Sequence, residues 1–80
     1  MYLITFPSMT DAFSADKELG GLCPHQVVPV PPKLSETCYG VGVRLDAAKA
    51  DLPKIREHLD GRAVRYKYFW DLETYEQEDA

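Results

Sequence analysis

Two segments with helical spacing, each stopped by glycine, divide this 80-residue chain into an alternation that few folds accept. Tyr2-Leu3-Ile4-Thr5-Phe6 is a short run of aromatic and branched residues bounded by Pro7, which has the composition of a strand. A helix start follows at once. Ser8 with Asp11 three residues on fits a shortened capping box, and Met9, Ala12, Phe13 and Leu19 share one stripe expected to be buried before Gly20-Gly21 ends the helix.

Gln26 to Val30 is apolar and extended, yet Pro29 removes a backbone donor from it, which an edge strand tolerates and a central strand does not. Gly40 to Leu45 places Val41, Val43 and Leu45 on one face and Gly40, Gly42 and Arg44 on the other, so the second face is nearly bare and something is expected to lie close against it. Leu52, Ile55 and Leu59 recur at helical spacing, with Gly61 as the expected end cap. Pro53 is harmless only in a first turn, so this helix should begin near Ala50 or Asp51. Val64, Tyr66, Tyr68 and Trp70 then alternate with Arg65, Lys67 and Phe69, which predicts a last strand with one face on the core and the other in solvent.

The order strand, helix, strand, strand, helix, strand predicts an α+β, ferredoxin-like βαββαβ two-layer sandwich: a four-stranded antiparallel sheet in the order 4-1-3-2, with two helices on one face. The second strand is an edge in that order, as Pro29 independently requires.

A chain this short fits one small domain with a modest core, expected over residues 1–70, and leaves little room for a deep multi-substrate site. Its formal charge of −4 is concentrated: Asp71, Glu73, Glu76, Glu78 and Asp79 fall in residues 71–80, an acidic end expected to be a frayed, flexible tail. Residues 1–70 hold nine bases against eight acids, which argues against a nucleic-acid partner. The apolar stretches are too short to span a membrane, and Met1 to Phe6 lacks the basic flank and apolar core of a signal peptide. The expectation is a cytoplasmic protein with reduced thiols.

Cys38 is the residue with the most chemical promise. It closes a loop rich in proline and hydroxyl groups, Pro31-Pro32-Lys33-Leu34-Ser35-Glu36-Thr37, and opens the run Tyr39-Gly40-Val41-Gly42-Val43. A reactive thiol needs proximity to water and to positive charge. In the expected fold this loop lies at the sheet end where the first helix begins. The amides near Ser8, Met9 and Thr10, with the helix dipole, would favour a thiolate or a sulfide-like anion, and Lys33 and Arg62 are expected to reach the same end. Ser35, Thr37 and Gly40 are read as support for the loop backbone.

Cys23, the second and weaker candidate thiol, precedes the second strand whereas Cys38 follows it. Five strand residues separate the two ends by about 16 Å, well beyond the roughly 4.4–6.8 Å between Cα atoms that a disulfide needs. His25 and His58 lack companions at ligand spacing, so no metal site is expected; they are read as a solvent-facing strand start and a helix C-terminal charge partner. Tyr66, Tyr68, Phe69 and Trp70 are read as core or dimer-interface residues and not as a base-stacking platform, because they fall on an edge strand.

Tyr2-Leu3-Ile4-Thr5-Phe6, Ser8, Asp11-Ala12, Lys17, Val27-Val28-Pro29-Val30-Pro31, Leu34-Ser35 and Cys38 followed by Gly40 and Arg44 together resemble the small selenium/sulfur carrier protein-like family over about residues 1–69. The resemblance implies a sulfur- or selenium-carrying role, with the family's loop cysteine on Cys38. The chain departs from that pattern in having Tyr39 between the cysteine and the glycine. Gly21-Leu22-Cys23-Pro24 is similar to the Cys-Pro element of sulfur carriers in tRNA thiolation, but the activating helix is missing. The function expected is that of a carrier more than of an enzyme with its own turnover, needing no cofactor and served by a cysteine desulfurase or other selenium/sulfur-transfer enzyme. The alternative is a non-catalytic regulatory or assembly module acting through its sheet face, for instance as a homodimer, with Cys38 incidental.

Overall fold

In a computed structural model, residues 1–34 and 40–78 are described. Strand β1 (Tyr2–Thr5) leads to helix α1 (Met9–Glu18), then β2 (His25–Pro29), a 3-10 turn (Pro32–Leu34), β3 (Val41–Leu45), a 3-10 turn (Lys49–Asp51), α2 (Leu52–Gly61) and β4 (Tyr68–Asp71). The strands form one antiparallel sheet in the order β2-β3-β1-β4, the expected ferredoxin-like arrangement with β2 at an edge. Ile4 lies opposite both Val43 and Phe69, and Val43 lies opposite Val27, so one face presents branched and aromatic side chains across the sheet. Both helices cover that face: Ala12 and Ala15 of α1, Leu52, Ile55 and Leu59 of α2 and the intervening Leu19 are buried in one cluster with Tyr2, Ile4, Val43, Leu45 and Phe69.

Helix α1 starts where its cap predicts. The Ser8 hydroxyl accepts from the Asp11 amide at 3.2 Å and donates to the Asp11 carboxylate at 2.8 Å. The buried stripe differs from expectation: Ala12, Ala15 and Leu19 face the sheet, whereas Met9 and Phe13 are 56% and 53% exposed. The alanines at positions 12 and 15 let the helix lie close to the strands, and that docking rotates Met9 and Phe13 outward. Pro53 sits in the first turn of α2, as its missing donor requires. The end cap is not Gly61, which remains helical; the left-handed residue is Ala63, at φ 58°, and the Val64 amide returns to the Leu59 carbonyl at 3.0 Å.

The last strand is shorter than expected and its alternation is broken. Val64 and Tyr66 pack with the helix-side core, and so does Phe69, three positions after Tyr66 and touching it edge to face at 5.4 Å. The Lys67 amide donates to the Thr5 carbonyl at 2.7 Å, and regular pairing starts only at Tyr68 opposite Thr5. Tyr68 and Trp70 therefore lie on the face away from the helices, and Phe69, placed on the solvent side by strict alternation, is a core residue.

That second face is partly covered. Leu3, Leu34 and Trp70 form a buried cluster there, joined by Val28, Val30, Leu72 and Tyr75. The acidic end expected to fray returns as far as Glu78: Gln77 bridges antiparallel to Trp70, Glu76 accepts from the Asp71 amide at 2.9 Å, and Glu78 donates to the Phe69 carbonyl at 2.8 Å. Leu72 and Tyr75 gain apolar burial by this return, which the count of acids concealed. No helix among the described residues is long and apolar enough to cross a membrane.

Candidate functional site

The connection from β2 to β3 opens at the sheet end where β1 hands the chain to α1, because Pro29 pairs with Val41 while Ile4 pairs with Val43. At its mouth the Val30 amide donates to the Gly40 carbonyl at 3.1 Å. Gly40 adopts φ +81°, a conformation that side-chain-bearing residues rarely enter, so its part in supporting the loop is backbone geometry. The first limb of the connection is held by Leu34, whose amide donates to the Pro31 carbonyl at 2.9 Å and whose side chain is buried against Leu3 and Trp70. Cys38, Ser35 and Thr37, like Glu36 and Tyr39, lie outside the described residues.

The cations expected to converge here are placed apart. The Arg62 guanidinium pairs at 3.2 Å with Glu18 in the last turn of α1, one helix length, about 15 Å, from Ser8. Lys33 lies over the Tyr75 ring, 5.0 Å from its centroid, on the sheet face away from the helices. At the start of α1 the Ser8 hydroxyl is engaged with Asp11, and Thr10 is exposed in the first turn. The Asp11 carboxylate, paired with Arg65 at 3.3 Å, itself answers the positive end of the helix. Both contacts depend on side-chain reach, which spacing in the sequence does not encode.

Cys23 stands at the opposite end of β2 as a free thiol, half-buried and packed against the main core. Burial pushes its pKa up, and Asp51 and Asp46 push it further. Both effects disfavour its thiolate, and its packing against the core is that of a small hydrophobe. The raised value favours the thiol in the folded chain, so its contribution to stability is complete below the unfolded pKa and is lost as pH rises through the folded one. In a Cys38→Ser background, alkylation of Cys23 should therefore lag behind that of the unfolded chain at pH 8, and Asp51→Asn should quicken it; equal rates in the folded and unfolded chains would contradict the placement.

The histidines are more enclosed than expected. His25 is not solvent-facing: Nδ1 lies 2.9 Å from the Cys23 carbonyl, and Nε2 lies 3.0 Å from both the Asp16 carbonyl and its carboxylate. His58 does meet a helix C-terminus, but that of α1, with Nε2 3.0 Å from the Glu18 carbonyl. No cluster of metal-ligating side chains occurs among the described residues.

Sequence reasoning missed Arg56. Its guanidinium lies 4.5 Å from the Phe69 ring centroid and donates to the Glu78 carbonyl at 3.2 Å, while Lys49 pairs with the Glu78 carboxylate at 3.4 Å. The available signal was Leu72 and Tyr75, two apolar residues three apart within the acidic end.

A four-stranded antiparallel sheet with both helices on one face and a long, pinned β2–β3 connection defines a small ferredoxin-like sandwich whose distinctive feature is that loop. Residues 1–71 match the family described as "Putative Se/S carrier protein-like", and the chain belongs to that family. No curated protein and no solved structure matches it.

Proposed function

We propose that this protein carries sulfur or selenium on the thiol of Cys38 and passes it to an acceptor enzyme. Membership of the selenium/sulfur carrier-like family carries this reading. The environment of Cys23 adds support, since burial and two nearby carboxylates disfavour its thiolate and leave Cys38 as the better of the two thiols. In the sequence only Tyr39 stands between Cys38 and Gly40, whose carbonyl accepts from the Val30 amide at the mouth of the connection. Lys33 and Arg62 are instead engaged with the Tyr75 ring and the Glu18 carboxylate.

The transfer needs neither a metal nor a deep pocket. The Cys38 thiolate attacks the terminal sulfur of a donor persulfide, such as that of a cysteine desulfurase. A new S–S bond forms on Cys38, the donor S–S bond breaks, and the donor leaves as its thiolate. The acceptor then attacks the terminal sulfur of Cys38 and releases the Cys38 thiolate. An assembly module acting through the sheet face is less favoured, because Leu34, Leu72 and Tyr75 cover part of that face.

Mass spectrometry after incubation with a cysteine desulfurase and cysteine tests the reading. Wild type and Cys23→Ser should gain the mass of one sulfur atom that dithiothreitol removes, and Cys38→Ser should gain none. Loading that persists in Cys38→Ser, or disappears only in Cys23→Ser, would overturn it.

A further inference from the structure

We propose that the C-terminal segment Leu72–Glu78 is a strap that positions the first limb of the β2–β3 connection, with Tyr75 as its positioning residue. The strap is fixed at both ends. Near β4, the Leu72 amide donates to the Met1 carbonyl at 3.0 Å and the Tyr75 amide to the Asp71 carbonyl at 2.7 Å. At its far end, Glu78 is held by its own amide on the Phe69 carbonyl, by Arg56 on its carbonyl and by Lys49 on its carboxylate. Between these ends Leu72 and Tyr75 join the cluster that buries Leu34, and the Tyr75 ring carries the Lys33 ammonium at 5.0 Å. Lys33 and Leu34 are consecutive residues of the limb that leads toward Cys38.

The strap lies beyond the family match, which ends at residue 71. It packs on the first limb of the very loop bearing the proposed thiol. Its importance for transfer depends on the carrier reading, whereas its hold on the limb does not. Tyr75 acts through an aromatic face, which attracts a cation and buries apolar area; its hydroxyl is not required for either effect.

Hydrogen exchange on the full-length protein separates these claims. Two amides report on the limb: Leu34, bonded to Pro31, and Val30, bonded to Gly40. Two report on the rest of the fold: Leu19, bonded to Ala15, and Val64, bonded to Leu59. Tyr75→Ala should speed exchange at Leu34 and Val30 by about tenfold, through loss of ring burial and of the cation contact, and leave Leu19 and Val64 unchanged. Tyr75→Phe should behave as wild type. Exchange at Leu34 unmoved by Tyr75→Ala, or raised equally at all four amides, would overturn the proposal, as would failure of the phenylalanine variant to rescue. If limb exchange responds as expected while wild-type Cys38 accepts no sulfur, the strap stands and the carrier reading fails.

Discussion

Phe69→Ala is expected to remove about 3–5 kcal/mol of stability, and Tyr68→Ala less than about 1 kcal/mol. Phe69 is 1% exposed, meets Tyr66 edge to face and is covered by the Arg56 guanidinium, so truncating it opens a cavity at a point where two elements meet. Tyr68 is 39% exposed and touches Trp70 at its margin, with ring centroids 5.7 Å apart. A domain of this size holds only about 4–12 kcal/mol in all. Phe69→Ala should therefore lower Tm by roughly 15 °C or more and leave a measurable unfolded fraction near its working temperature. Urea denaturation of the two variants decides the register of β4. A larger loss for Tyr68→Ala would restore the unbroken alternation that the sequence suggests.

Gly42→Ala should be nearly as damaging. A Cβ at Gly42 would stand 2.6 Å from the Ile4 carbonyl oxygen and 3.1 Å from the Leu3 Cδ1. The obstructing oxygen belongs to the backbone of the neighbouring strand, so relief requires β1 and β3 to move apart, at a cost of about 2 kcal/mol or more. Gly61→Ala is the matched control. Nothing lies within 4 Å of a Cβ there, and an alanine in that helical position should be neutral or stabilise by about 0.5–1 kcal/mol. Equal Tm values for the two variants would show that the close approach at Gly42 is not real.

The order of elements and the edge position of β2 were legible because they rest on local signals: the Ser8 cap, the early Pro53, and a proline in β2 that no central strand tolerates. The bare glycine face was legible as well, though not what lies against it, the backbone of β1. Errors arose where packing overrode periodicity. Alanines docked α1 more closely than larger side chains would and turned Met9 and Phe13 outward. A break in alternation before Tyr68 exchanged the two faces of β4, and a left-handed Ala63 took the terminating role assigned to Gly61.

At the candidate site, local composition pointed to a loop and to a thiol that lies outside the described residues, whereas the expected convergence of Lys33 and Arg62 depended on partners distant in the chain. Glu18 lies forty-four positions before Arg62 and Tyr75 forty-two after Lys33. The acidic end misled for a related reason. Net charge predicts solvation of a segment, whereas two apolar side chains three residues apart are enough to return it to a neighbouring surface.

Pro29 has a consequence for how these molecules behave in company. The sheet has two outer rims; one is lined by the pairing of Gln77 with Trp70, and the other is β2, where proline withholds a donor. Copies of the chain meeting rim to rim thus find an incomplete set of hydrogen-bonding groups on one side and a rim already occupied on the other. A small sheet with apolar residues on both faces is by composition a candidate for stacking into fibrils, and this pair of blunted rims opposes that growth without adding a single charge to the core.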